Sequence, residues 1–309
     1  MPNEQKDSAV ARGNIELFDN RLMREAEKRL AVFADPAEIC AERFLADENA
    51  ELPVLLAEAG AEYIPRILPS DAPDGSLPYL TALRGALCAV DRVAFLCAFR
   101  TACAKRGRIL DHTAFLPKED APLHRIAYVR NTYTEEAYEI FTREDADATL
   151  LYTDGFAEAC KAVADGQADF CILPFENSSG PLTAFRDMAV RFSLTVAALC
   201  RVFHADGTDA TRFALLAERP LPSRGGETPC IRLSFSAENG RALTEHLAAL
   251  SATGILTALD SMPDTVGKTS LSCTLTLRCA REDAFLPLAY LYTFTDFPRL
   301  LGFYEEIEE

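Results

Sequence analysis

The chain has 309 residues, 49% hydrophobic and 25% charged, which leaves room for two or three domains with real cores and excludes a disordered or fibrous protein. A formal net charge of -16 and a pI near 4.8 disfavour nucleic acid and anionic membrane as partners, because phosphate repels such a surface. Residues 1–14 are polar and no stretch approaches the roughly 18 apolar residues of a membrane span, so neither a targeting segment nor an anchor is expected.

Ten cysteines in such a chain read as reduced thiols, and a cytoplasmic location is expected. There is no Cys-x-x-Cys and no His-Glu-x-x-His. Cys97 with Cys103 and Cys273 with Cys279 read as small apolar packing, and His112, His124, His204 and His246 are scattered. No metal and no cofactor are expected.

In chain order, Ile15, Phe18, Leu22, Met23, Ala26, Leu30 and Phe33 form a helical stripe over residues 14–33. Asp35-Pro36 is expected to end that helix, since proline disfavours the α conformation in its predecessor. A second helix is expected over about Pro36–Ala59, then a proline-rich loop at 65–78. A long helix follows from about Leu80 to Lys105, with Arg106-Gly107 as its stop. This is an all-helical module, residues 1–117.

After a polar linker at Pro117–Pro122, Ile126–Val129 reads as a strand and Thr134–Phe141 as a helix capped by Thr132 or Thr134. Leu150–Tyr152 is a second strand and Phe156–Ala164 a second helix. Phe170–Leu173 is a buried strand that Pro174 is expected to stop, and Pro181 is expected to open a helix capped by Ser179 or Gly180. This βαβαβα order predicts a parallel α/β lobe, residues 122–220. Strands at Leu194–Leu199 and from Thr211 are joined by a short stretch in which Asp206-Gly207 reads as a hairpin or tight turn.

Past the linker at Pro220–Pro229, strands near Ile231–Phe235, Gly254–Leu259, Leu271–Leu277 and Leu300–Tyr304 alternate with helices from Asn239 and from Ala284. The order βαββαβ predicts a ferredoxin-like domain, residues 228–309. The fold class expected is therefore multi-domain, α plus α/β.

The stretch Gly166–Gly180 resembles a signature of prephenate dehydratases, a Gly-Gln-Ala-Asp strand followed by Pro-x-Glu-Asn-Ser/Thr and a glycine; this copy is one residue short after Asn177. Thr211-Arg212-Phe213 resembles the family's Thr-Arg-Phe motif. The resemblance implies a periplasmic-binding-protein-like lobe and the conversion of prephenate to phenylpyruvate, carbon dioxide and water. It implies catalytic roles for Thr211, Arg212, Phe213, Glu176, Asn177 and Ser178, and substrate binding at Thr132, Tyr133 and Thr134. Two departures stand out. Val129-Arg130-Asn131 replaces a glycine-rich segment, so Arg130 would fill space that a glycine leaves open. A whole second lobe is also missing between Cys200 and Ala210.

Arg12, Ile15, Glu16, Phe18, Asp19, Leu22, Met23 and Arg29 resemble the first helix of all-helical chorismate mutases, which implies a carboxylate-gripping pair at Arg12 and Arg29. Cys40 stands where that family has a catalytic lysine, and Phe95 where it has a polar group facing the ether oxygen. Toward the end of the chain, Asn239, Gly240, Ala242 and Leu243, with Asp260, Ser261 and Pro263, resemble the phenylalanine-binding motifs of ACT domains. The three resemblances occur in the order of bifunctional chorismate mutase/prephenate dehydratases. Two readings stay open: a divergent enzyme of phenylalanine biosynthesis, or a non-catalytic relative that binds an aromatic metabolite such as prephenate, chorismate or phenylalanine, or regulates a partner. A homodimer is expected, because the helix Leu80–Lys105 is too apolar to be left in water.

Overall fold

The structure, a computed structural model, describes residues 21–47, 50–64, 78–116, 125–143, 145, 147–205, 207, 209–221, 229–251, 255–263, 271–280, 284–293 and 298–307. Arg12, the start of the first helix, most of the 65–78 loop and most of both linkers lie outside the described residues. In chain order the helices are α1 (21–29), α2 (Ala34–Ala46), α3 (Leu52–Tyr63), α4 (Pro78–Lys105), α5 (Thr132–Thr142), α6 (Phe156–Ala164), α7 (Thr183–Arg191), α8 (Gly240–Ser251) and α9 (Phe285–Tyr292). The strands are β1 (Arg125–Val129), β2 (Thr149–Thr153), β3 (Phe170–Asn177), β4 (Gly180–Pro181), β5 (Thr195–Phe203) and β6 (Ala210–Ala217). They continue with β7 (Cys230–Ala237), β8 (Ile255–Pro263), β9 (Leu271–Arg278), β10 (Arg299–Tyr304) and β11 (Glu306–Ile307). Contacts divide the chain into two compact units, residues 1–115 with 234–299 and residues 116–233 with 300–309.

In the first unit the chain does not break at Asp35-Pro36. A 3₁₀ turn at Leu30–Phe33 joins α1 to α2, which places Pro36 in the first turn of α2, where its missing N–H costs nothing. The expected second helix is instead two, α2 and α3, separated at residues 47–51. The stop after α4 is as read: Gly107 has φ +82°, and the amides of Arg106, Gly107 and Arg108 return to the carbonyls of Cys103 and Ala104.

Between Ala89 and Cys103 most apolar side chains of α4 are buried, and the helix packs against α2, α8 and α9 of its own unit. Over that part the helix needs no partner chain to leave water. Phe95, fully buried, packs its ring against Phe33, Tyr63 and Phe99. Buried Arg92 of α4 donates to the carbonyl and hydroxyl oxygens of Thr293, at 2.5 and 3.0 Å, and so ties α4 to the end of α9. Gly60 of α3 lies against the same residue, where a β-carbon would overlap the Thr293 carbonyl. The strand order here is β7-β9-β8, with β8 and β9 antiparallel from Ile255 opposite Arg278 to Pro263 opposite Leu271.

In the second unit the strand order is β2-β1-β3-β6-β5-β10, next to which comes the Cys230–Leu233 part of β7. The parallel expectation holds for β1 with β2 and β3. The lobe is not parallel throughout: the short link from β5 to β6 makes an antiparallel hairpin, β6 runs antiparallel to β3 as well, and β10 and β11 pair with β5 in parallel. Apolar residues alternate between the two faces. Cys171, Leu173, Ala214 and Leu216 meet α6 and α7, while Phe170, Ile172, Phe213 and Leu215 meet α5.

Two local expectations are corrected in β3. Pro174 does not stop the strand; it sits opposite Phe213 beside a bulge between Pro174 and Glu176, an irregularity that tolerates a missing amide hydrogen. Gly180 and Pro181 do not open a helix but turn back on β3, pairing with Asn177 and Glu176. Gly180 takes φ +110° to make that turn, and α7 begins only at Thr183, with no side-chain cap. The cap of α5 is Asn131, in a reciprocal box with Thr134, so the helix starts two residues earlier than read.

Candidate functional site

The hairpin β5–β6 brings a histidine, a threonine and a carboxylate together. Val202 pairs with Thr211 and Phe203 with Ala210, and the His204 amide donates to the Asp209 carbonyl at 2.8 Å. Residues directly opposite in an antiparallel pair share a face, so His204, Asp209, Val202 and Thr211 all point to the α5 side. There the Thr211 hydroxyl lies 3.0 Å from Nε2 of His204. On the other side of the ring, Nδ1 is 3.8 Å from an oxygen of Asp209, whose second oxygen accepts the Ala210 amide at 2.8 Å. Gly207, at φ +66°, closes the turn through its amide to the His204 carbonyl.

The start of α5 reaches the same place. The Tyr133 ring packs on the His204 ring with centroids 4.9 Å apart and stays exposed beside Thr132. Thr134 is different in kind: it is fully buried, and its hydroxyl bonds the carbonyls of Val129 and Asn131. Arg130 turns to Glu135, at 3.1 Å, and lies over the Tyr152 ring.

Arg212 points to the opposite face of the sheet. Its guanidinium lies 2.9 Å from Glu306 and 3.4 Å from Glu176, which also bonds Arg186 at 3.2 Å. Arg201, paired with Arg212 across the hairpin, reaches Glu306 at 3.5 Å. Phe213 is buried in the core on the α5 side. Asn177 accepts the Ser179 amide at 3.0 Å, holding the β3–β4 turn, with Ser178 exposed at its tip. The residues expected to act together are thus divided: Thr211 and Tyr133 each touch His204 on one face, and Glu176 and Arg212 pair on the other.

No motif of the sequence marks His204 or Asp209. The register of the short hairpin could have found them, since a turn at Asp206-Gly207 between paired strands sets residue 204 beside 209 and diagonal to 211.

In the first unit Arg29 is engaged by Asp91 of α4 at 2.8 Å, and burial pushes that carboxyl up while Arg29 pulls it down. Cys40 is fully buried, and loss of hydration raises its thiol to about 11. Asn239 accepts the Ala242 amide at 3.0 Å and its carbonyl accepts the Leu243 amide, so it caps α8 just before Gly240. Leu243 is buried, while Asp260, Ser261 and Pro263 lie on β8, their side chains outside the described residues. Among the described residues no group of three His, Cys, Asp or Glu could hold a metal ion, and no helix is long and apolar enough to cross a membrane.

No family model matches the chain, and no curated protein matches it. Among solved structures it is similar to prephenate dehydratase from Streptococcus mutans, at 21% identity and a TM-score of 0.48, over 59% of this chain and 98% of that one. It is similar to prephenate dehydratase from Arthrobacter aurescens in complex with L-Phe, at 18% identity and a TM-score of 0.46, over 59% of this chain and 89% of the other. A quorum-quenching acylase, GqqA, matches at 22% identity and a TM-score of 0.45, over 59% and 94% of the two chains.

Proposed function

We propose that the chain is a prephenate dehydratase-type protein whose working face is the α5 side of the β5–β6 hairpin. The observation that carries this reading is the meeting of Thr211 and Tyr133, which come from two motifs far apart in sequence, around one histidine. Prephenate loses its ring hydroxyl as its ring carboxylate departs, and that hydroxyl needs a proton to leave as water. In this reading Thr211 donates that proton, and the exposed Thr132 and Tyr133 at the start of α5 hold the substrate. Glu176 and Arg212 then have a different task from the one their motifs implied: they brace β3, β6 and β11 from the far face.

The reading is tested by following phenylpyruvate formed from prephenate by the purified protein. A rate above the uncatalysed one supports it; a rate equal to the uncatalysed one contradicts it. A second reading, a non-catalytic relative that binds an aromatic carboxylate, is favoured by one observation: Glu176 is neutralised by Arg212 and Arg186, on the wrong face to serve Thr211. Binding of prephenate or phenylalanine by calorimetry without turnover would select it. The mutase-like and ACT-like modules, phenylalanine as effector and a homodimer belong to this proposal. Light scattering that finds a monomer at micromolar concentration contradicts the dimer.

A further inference from the structure

We infer that His204 is a positioning residue that resupplies the proton spent by Thr211, with Asp209 orienting its imidazole. This rests on the dehydratase reading above and assigns a role to a residue that no motif of the chain contains.

A threonine hydroxyl is a poor acid, and an alkoxide left behind in the open would stall the reaction. Here the hydroxyl does not stand alone. Nε2 of His204 lies within hydrogen-bond distance of it, and Asp209 faces Nδ1. At 3.8 Å the Asp209 carboxylate lies beyond direct hydrogen-bond distance of Nδ1 and acts on the ring's orientation by charge. Among the described residues the titratable groups in contact with this imidazole are Asp209, from the turn, and Tyr133, from α5.

The step balances. The bond between the ring carboxylate and its carbon breaks, and its electron pair moves into the ring as carbon dioxide leaves. The ring carbon–oxygen bond breaks, and the departing oxygen takes the Thr211 proton and leaves as water. The imidazolium gives its Nε2 proton to Thr211, and solvent reprotonates the ring. One prephenate dianion and one proton become one phenylpyruvate anion, carbon dioxide and water.

The hairpin that carries His204 stands where the resemblance places a second lobe. A group that supplies a proton from the turn itself gives Thr211 a chemical partner that does not depend on such a lobe.

The test is the pH profile of prephenate turnover for the wild type, His204→Gln and Asp209→Asn, with melting and circular dichroism run on each. Glutamine still bonds the Thr211 hydroxyl but carries no transferable proton. His204→Gln is expected to keep its fold, lose roughly 100-fold in kcat with KM little changed, and lose the limb of the profile that falls as pH rises. Asp209→Asn is expected to lose less. Recovery of turnover by added imidazole in His204→Ala would support the role. Wild-type turnover with an unchanged kcat and profile in His204→Gln overturns this inference and leaves the dehydratase reading standing. No wild-type turnover overturns both.

Discussion

Acid should destabilise the first unit through His246. The ring lies between Phe235 and Tyr290, with Nδ1 shut off from solvent, and Arg92 adds its positive charge nearby. Burial first, and Arg92 second, hold this histidine down to about 4 from an ordinary value of 6.5. Between these two values the unfolded chain binds a proton that the folded chain refuses. The contribution is therefore fully present above about pH 6.5 and is lost as pH falls toward 4. At about 1.4 kcal/mol per pH unit the interval corresponds to about 3 kcal/mol, a large part of a typical domain's stability. The assay is urea unfolding at pH 7, 6, 5 and 4 for the wild type and His246→Phe, which keeps a ring against Phe235 and Tyr290. The carboxylates titrate in both proteins and cancel in the difference. The wild type should lose about 3 kcal/mol more than the variant between pH 7 and pH 4. Parallel curves for the two proteins would refute the reasoning.

Three further outcomes follow from particular contacts. Gly60→Ala should cost about 1–3 kcal/mol by denaturant unfolding, because its β-carbon meets the Thr293 carbonyl rather than a movable side chain; an unchanged midpoint would contradict that packing. Arg92→Met should cost about 1–3 kcal/mol by leaving the Thr293 oxygens without their buried donor, and a neutral result would mean that another donor replaces it. Chorismate mutase activity should be absent, because Phe95 is locked among Phe33, Tyr63 and Phe99 and offers nothing polar to an ether oxygen. Conversion of chorismate that disappears in Arg29→Ala would contradict this.

Where local chemistry decides an element, the sequence predicts it closely. The helix read at Phe156–Ala164 has those bounds, since Asp154-Gly155 before it and Gly166 after it are strong punctuation. The βαββαβ order at the end of the chain likewise follows from alternation and length. Proline is where local reading fails. Pro36 and Pro174 both read as stops, but one falls in a first turn and the other at a bulge, positions fixed by the neighbouring elements rather than by the residue.

The site was legible in part for a related reason. Motifs name Thr211, Arg212 and Glu176, yet motif spacing carries no information about which face of a sheet a residue occupies. Alternation along β6 sends Thr211 and Arg212 to opposite sides, so the pairing of Arg212 with Glu176 and of Thr211 with His204 emerges only from strand register.

The measurement that tests the central claim most directly is prephenate turnover by the purified wild type and by Thr211→Val, with melting recorded on the same samples. Valine keeps the shape and removes the hydroxyl. The wild type should form phenylpyruvate and Thr211→Val should not, with a melting temperature little changed, since the Thr211–His204 contact is only partly buried. A wild-type rate no greater than the uncatalysed one, or a Thr211→Val variant that melts lower but turns over as before, would contradict the claim.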